Sequence, residues 1–494
     1  MKDSLSAAAA SGSGSPSFPE TPMLSLPSYL AGNPVSPGTW INVHNPWNQQ
    51  PAGRVAAIGS SHLEEAIRAH LQPADPLTRH ERSRILTAAG HLLAERREEF
   101  ARLITSESGL CLRETRYEVG RACDVLTFAA MEALRDDGQI FSGDISPGGK
   151  ARKIFTLREP LTLIAAITPF NHPLNQVVHK LAPAVAAGAP VILKPSEKTP
   201  LTAVRFAELL YEAGLPGHLL SCVHGSLDEI TRPLIRDERV ELVTFTGSAR
   251  VGREIAATAG YKRTCLELGG HSPLIVLPDA DLDLAARLAC EGCFRNSGQR
   301  CTSVRRLLVH RDVVAAFTER FLAAAATWLC GDPEDEATMV GTVIDEPAAI
   351  HLAAAVEDAV NRGAQLLRGG SRRGALLEPA ILGGVPRDSL LGTTECFGPI
   401  APIIPVRDLE DAIACANATP YGLSSAIVTR DLAFALRAVR GIRAGTVNVN
   451  EIPGYRLELS PFGGIKHSGL GIKEGVIEAI RFMTSVKTFS LPWE

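Results

Sequence analysis

Three side chains in this 494-residue chain have types and settings that could do chemistry together. Cys301 lies in FRNSGQRCTS, a Gly- and Ser-containing stretch between an apolar helix and a strand. A thiol becomes a strong nucleophile once it loses its proton. Glu267 lies in LELGG at the end of a strand, where Gly269 and Gly270 let the backbone turn and approach a ligand closely. A carboxylate so placed can take a proton from water. Asn171 lies in TPFNHP, at a strand-to-helix turn. Singly, each has an ordinary explanation: a buried filler thiol, a solvated charge, a helix N-cap. Their shared placement at the ends of strands, where parallel sheets bind ligands, points to a reaction centre.

The elements that must position them follow from periodicity. From about 60 to 140 apolar residues recur at helical spacing, as in RSRILTAAGHLLAERREEFARLIT and YEVGRACDVLTFAAMEALR. Between 161 and 270 short apolar strands (LTLIAAI, PVILK, LLSCV, ELVTFTG, TCLELGG) alternate with helices, the pattern of a parallel sheet covered by helices. From 271 to about 475 a second α/β pattern has SPLIVL, VRRLLVH, APIIPV and SSAIVT as strands. Two alternating stretches, KARKIFTLR at 150–158 and FMTSVKTFSLPW at the C-terminus, have no obvious partner in either region. They could pair with each other as an arm or with another subunit. A chain of this length exceeds one hydrophobic core, so two or more domains are expected.

These stretches are where the chain resembles the aldehyde dehydrogenase superfamily, from about residue 35 onward. The matching motifs are TPFNHP, VILKPSEKTP, FTGSARVG, LELGG, GQRCT, ECFGPI, PYGLSS and PFGGIKHSG, in the family's order. The resemblance implies an α/β fold with a Rossmann-type cofactor domain (26–147 and 160–268), an α/β catalytic domain (269–477) and a β-strand oligomerisation arm (148–159 and 478–494). It also implies Cys301 as nucleophile, Glu267 as general base and Asn171 as an oxyanion donor. Removing one such donor typically costs about 10²–10³ in rate. Members that pass the acyl group to coenzyme A typically lack the glutamate, so Glu267 favours a free acid as product. One departure is His271–Ser272 after LELGG, where many relatives have Asn or Lys then Pro or Ala.

A G-x-G-x-x-G fingerprint is absent. Gly247 and Gly252 in GSARVG instead stand five residues apart before a helix, with Ser248 near its start. A helix N-terminus can receive a pyrophosphate; alone, the pattern is a common turn. The resemblance implies a cofactor site of Thr168, Lys194, Ser196, Glu197, Gly247, Ser248, Gly252, Glu395 and Phe397. Lys194 and Glu197 would reach the adenosine ribose, and Glu395 and Phe397 the nicotinamide ribose and ring. A carboxylate beside the 2′-hydroxyl repels a 2′-phosphate, so Glu197 argues for NAD over NADP.

Four cationic or cationisable residues fall in segments expected near the substrate: Arg121, His172, Arg300 and Arg456. Surface Arg and His are common, but convergence of these four on one thiol would suit an anion, because guanidinium forks match phosphorus oxyanions. Within the superfamily TPFNHPLNQVVHK, FRNSGQRCT, GYRLELSPFGGIK and the ending TFSLPW look like phosphonoacetaldehyde dehydrogenases. The implied reaction oxidises phosphonoacetaldehyde, or a related phosphonate aldehyde such as phosphonoformaldehyde, to its acid. Other readings are lactaldehyde or glyceraldehyde 3-phosphate, a semialdehyde of the succinate type, or a catalytically silent binding protein. The last predicts loss of Cys301, Glu267 or Asn171, and all three are present.

Bulk composition sets the remaining bounds. A formal charge of −4 offers no footprint for nucleic acid or an anionic membrane. Ten scattered cysteines form no disulfide framework and suit a reducing compartment. The Cys290-x-x-Cys293 pair sits in an apolar helical run and reads as structural, with no metal site expected. The Ser-, Ala-, Gly- and Pro-rich residues 1–25 lack an apolar signal core and read as a disordered tail, which leaves the cytoplasm as the expected location. The two arm strands imply a homodimer or homotetramer.

Overall fold

In a computed structural model, residues 23–472 and 474–493 are described. The tail expected over 1–25 therefore lies outside the described residues as far as 22. From Ser25 the chain is already strand: Ser25 and Leu26 pair in parallel with Arg54 and Val55.

The first large sheet has seven strands. Its spatial order is Arg263–Glu267, Leu242–Thr246, Ile164–Ile167, Val191–Lys194, Leu220–Cys222, Ser28–Leu30 and Asn33–Val35. The first five are parallel, and the two N-terminal strands add antiparallel at the edge. Strands such as IAAI, VILK and LVTFT are buried throughout and mostly apolar because helices cover both faces of a parallel sheet. The helices Asn175–Ala187 and Leu201–Glu212 supply much of that cover, together with Arg79–Glu95 and Leu112–Ala133. The helix Arg79–Glu95 starts at a capping box in which Thr78 and Glu81 satisfy each other's backbone N–H.

The second sheet also has seven strands, in the order Gln365–Arg368, Ala380–Gly383, Ile400–Val406, Val304–His310, Ser272–Val276, Ser424–Val428 and Thr446–Val449. All neighbours are parallel except the first pair. The short helix Val476–Phe482 returns to the first core, where Val476 and Met483 are buried.

The two orphan strands pair with each other. Arg152–Pro160 and Thr484–Pro492 run antiparallel over nine residue pairs, and Ile140–Ser142 adds a third strand. Phe155 stacks on Phe489 at 5.2 Å across this ladder. No helix among the described residues is long and apolar enough to cross a membrane.

Candidate active site

The register of the first sheet brings four strand ends to one edge. Thr246 is opposite Glu267, Phe245 opposite Ile167, and Ile167 opposite Lys194. Thr168, Lys194, Gly247 and Glu267 therefore share the carboxyl edge. The second sheet meets that edge with its strand starts: Gly269–Gly270 lead into Ser272–Val276, Cys301 into Val304–His310, and Glu395–Phe397 into Ile400–Val406. The candidate residues converge because one sheet ends where the other begins.

The loop before Cys301 is shaped by backbone that few sequences tolerate. Asn296, Ser297 and Gly298 take positive φ of 56°, 52° and 68° in succession. A Cβ on Gly298 would lie 2.1 Å from the Gly398 carbonyl oxygen, so only glycine fits. Buried Arg305 pins the loop by donating to the carbonyls of Gly298, Gly398 and Arg300, the last two at 2.7 and 3.2 Å. Gln299 accepts from Ile344 N–H through its side chain at 2.9 Å, and its carbonyl accepts from Asn171 Nδ2 at 2.8 Å. Asn296 Nδ2 in turn donates to the Asn171 carbonyl at 3.0 Å. Asn171 is thus tied directly to the thiol loop from a residue 128 positions away.

Cys301 is partly accessible. Burial pushes its thiol up to about 11; Arg456 and Arg300 pull it down, while Glu267 and Glu395 push it further up. A Cβ on Gly270 would lie 2.5 Å from the Cys301 carbonyl oxygen, so this glycine permits the close approach of the Glu267 strand end to the Cys301 loop. Glu267 itself is buried. Glu395 lies against Gly269 and accepts from Gly270 N–H at 2.9 Å; burial raises its carboxyl to about 7. Phe397 meets Phe170 edge-on at 6.0 Å.

The expected cofactor residues line the shared edge. The helix Ala249–Ala259 starts there, with Ser248 as N-cap accepting from Val251 N–H at 3.3 Å. Helix starts carry N–H groups with no internal partner. Gly247 packs on the Phe245 ring, whereas Gly252 lets the helix approach Leu268, so its contact is packing between elements. Lys194 Nζ lies 3.2 Å from Glu197 Oε1, and Ser196 Oγ accepts from Lys198 N–H at 3.2 Å. The buried hydroxyls of Thr168 and Thr246 have no hydrogen-bond partner among the described residues. Orphaned donors, a helix start and a Lys–Glu pair on one edge fit a dinucleotide.

The four expected substrate cations behave differently from one another. Arg121, on Leu112–Ala133, donates through Nε to Glu458 Oε1. Arg456 stands 3.6 Å from Glu458 Oε2 and lies over the Phe462 ring at 4.1 Å. His172 Nδ1 is 3.4 Å from Glu118 Oε2, and burial lowers its pKa, favouring the neutral ring. Arg300 is 9% exposed and makes no side-chain hydrogen bond or ion pair among the described residues. Burial, then the charges of Arg295 and Arg121, pull its pKa to about 10. Gly454 makes room for it, since a Cβ there would lie 2.5 Å from Arg300 Nη2.

Sequence reasoning missed Glu458, His179 and Arg305. The first two are joined at 2.6 Å from 279 positions apart. A carboxylate two residues from Arg456 was the one available hint.

Residues 34–489 match the aldehyde dehydrogenase family, and the chain belongs to it. It is 39% identical over 464 residues to the 3-sulfolactaldehyde dehydrogenase of Priestia megaterium, covering 94% of this chain and 97% of that protein. Aldehyde dehydrogenase 21 of Physcomitrella patens, solved with the reaction product succinate, superposes with a TM-score of 0.91 at 34% identity, covering 96% of this chain and 99% of that one. The NADP-dependent glyceraldehyde-3-phosphate dehydrogenase of Bacillus halodurans C-125, solved with NADP, also gives 0.91, at 32% identity, covering 96% and 100%. The protein is therefore an aldehyde dehydrogenase.

Proposed function

We propose that the protein oxidises a short aldehyde bearing an anionic group, foremost a phosphonate such as phosphonoacetaldehyde or phosphonoformaldehyde, to the carboxylic acid with NAD or NADP. The observation that carries this reading is Arg300: a buried guanidinium, next in sequence to the proposed nucleophile, that makes no salt bridge or side-chain hydrogen bond among the described residues and feels Glu114 only at a distance. An isolated buried charge is costly, and a substrate anion would supply the missing partner. The relatives support an anionic substrate, since their names carry a sulfonate, a carboxylate product and a phosphate ester. A sulfonate is the second reading, favoured by the 39% identity to the sulfolactaldehyde enzyme.

In this proposal Cys301 Sγ adds to the aldehyde carbon, and the oxygen that gains charge is met by the Asn171 amide and the Cys301 backbone N–H. Asn171 Nδ2 must then leave the Gln299 carbonyl, or share its protons with it, because that amide is committed at 2.8 Å in the free enzyme. The bound nicotinamide supplies the hydride acceptor. The acyl group remains on Cys301 as a thioester, and Glu267 takes a proton from the water that cleaves it. Lys194 and Glu197 would hold the adenosine ribose, with the Glu197 carboxylate favouring NAD. Thr168, Ser196, Ser248 and the helix start would hold the phosphates, and Glu395 and Phe397 the nicotinamide end. The domain division given above, a homodimer or homotetramer built through the arm, and a cytoplasmic location belong to the same proposal.

The test is NADH production with phosphonoacetaldehyde, phosphonoformaldehyde, lactaldehyde and succinic semialdehyde at matched concentrations. The phosphonates should lead by about tenfold or more in kcat/KM, about 1.4 kcal/mol of discrimination. Parity with lactaldehyde would overturn the anion reading. Cys301→Ala should abolish turnover while dinucleotide binding persists, and Glu267→Gln should slow thioester cleavage while hydride transfer continues.

A further inference from the structure

Glu458 is a carboxylate with 5% exposure, and burial alone would raise its pKa; His179, Arg456 and Arg121 instead hold it well below the usual carboxylate range. Both oxygens are engaged. Oε1 accepts from Arg121 Nε; Oε2 is 2.6 Å from His179 Nε2 and 3.6 Å from Arg456 Nη2. These partners come from three separate segments: the helices Leu112–Ala133 and Asn175–Ala187, and the loop after Thr446–Val449. A buried carboxylate shared among them fixes where two long, flexible cations stand.

The neighbouring carboxylates are committed elsewhere. Glu114 pairs with Arg295 at 3.0 Å. Glu118 accepts from Leu174 and Asn175 N–H at 2.8 and 2.9 Å, with His172 on its other oxygen. None forms a salt bridge with Arg300 among the described residues, although the charge of Glu114 acts on it through space. The three arginines therefore fall into two kinds: Arg121 and Arg456, held by Glu458, and Arg300, which feels the charge of Arg121 and makes no salt bridge among the described residues.

We propose that Glu458 is the positioning residue of the substrate-anion site, holding Arg121 and Arg456 in place and leaving Arg300 as the cation to which the ligand supplies a direct partner. Glu458 does not touch the substrate; it acts through the two guanidinium groups it fixes. Without it, Arg121 and Arg456 lose their common anchor and gain side-chain freedom that each binding event must then remove. The loss falls on the anionic part of the substrate. The inference rests on the reading of the substrate as an anion.

The experiment compares phosphonoacetaldehyde with propanal, a smaller uncharged aldehyde, in the wild-type holoenzyme and in Glu458→Gln. The ratio of kcat/KM, phosphonate over propanal, should fall by about tenfold or more in the variant, the scale of losing one charge-assisted hydrogen bond. The fall should lie in KM for the phosphonate. An equal decline for both aldehydes would mark Glu458 as merely structural and overturn the proposal. A rise in the ratio would also overturn it, because Glu458 would then be competing with the substrate for the arginines. A wild-type ratio near one would instead sink the anionic-substrate reading, so the two failures are distinct. If Glu458→Gln does not fold, His179→Gln removes only the 2.6 Å partner and should lower the same ratio by about threefold; no change in it would count against the proposal.

Discussion

At the residue scale, the thiol of Cys301 is poised as a reluctant acid. Burial dominates and carries it to about 11, with Glu267 and Glu395 adding in the same direction and Arg456 and Arg300 opposing them. The reactive form is the thiolate, so its population at neutral pH in the free enzyme is small and grows with alkalinity. Alkylation of Cys301 by iodoacetamide without dinucleotide should therefore accelerate about tenfold per pH unit from roughly pH 7 to pH 10. Mass spectrometry of the modified peptide measures this directly, and a rate that levels off by about pH 8 would show that the arginines outweigh burial. Cys301, Glu267 and Asn171 could be singled out from the sequence because each sits in a short local motif. Glu458 was not, because its meaning comes from Arg121 and His179, 337 and 279 positions away. Arg300 was legible as a cation, but its lack of a partner is a property of the folded surroundings.

At the scale of elements, the loop from Arg295 to Cys301 is held by three left-handed residues and by Arg305. Gly298→Ala would face a backbone carbonyl at 2.1 Å and an unfavourable φ at once, and neither obstacle can swing aside. The expected cost is about 2–4 kcal/mol, combining overpacking with left-handed strain. Urea denaturation should show that loss. Because the displaced loop carries Cys301 and the Gln299 carbonyl that Asn171 meets, kcat should also fall by about tenfold or more. Wild-type stability and kcat in this variant would remove the loop from the list of positioning elements. The parallel strands were readable from apolar runs bounded by turns. The strands between Ser25 and Ala57 were not: Ser25–Leu26, Ser28–Leu30 and Asn33–Val35 are only two or three residues long, and Pro34 and Pro51 interrupt the pattern, although Thr39–His44 and Pro51–Ala57 pair with each other locally. Val304–His310 was recognised as a strand, yet the depth at which Arg305 and Arg306 are buried was hidden. Arg306 donates to the carbonyls of His271, Cys415 and Ala416, which only the folded chain brings to it.

At the scale of the whole molecule, the site exists because the carboxyl edge of one sheet abuts the amino edge of the other, and the arm stands apart from both. Its nine-pair ladder is longer than any other strand pairing in the fold, yet it leaves Ile154, Val486, Phe489, Leu491 and Trp493 exposed. Phe489 and Leu491 alternate onto one face of the arm and Ile154 and Val486 onto the other, and exposed apolar side chains of this kind mark an association surface. Edge strands also invite pairing: Ile140–Ser142 and Thr446–Val449 each have a single neighbour. The arm is consequently expected to join subunits, as the pairing of KARKIFTLR with the C-terminal segment suggests. Removing the last dozen residues deletes all of Thr484–Pro492, together with Met483, and uncovers Arg152–Pro160. The truncated protein should dissociate to a smaller species by light scattering while the two large sheets, which this strand does not join, stay folded by circular dichroism. The helix Val476–Phe482 is left intact by the cut but Met483 of the first core is lost, so a truncation after Thr484 serves as the control that separates loss of assembly from loss of fold. An unchanged mass would mean that subunits associate through other surfaces, with Leu432, Leu436 and Val439 on the exposed face of Leu432–Gly441 the next to be tested.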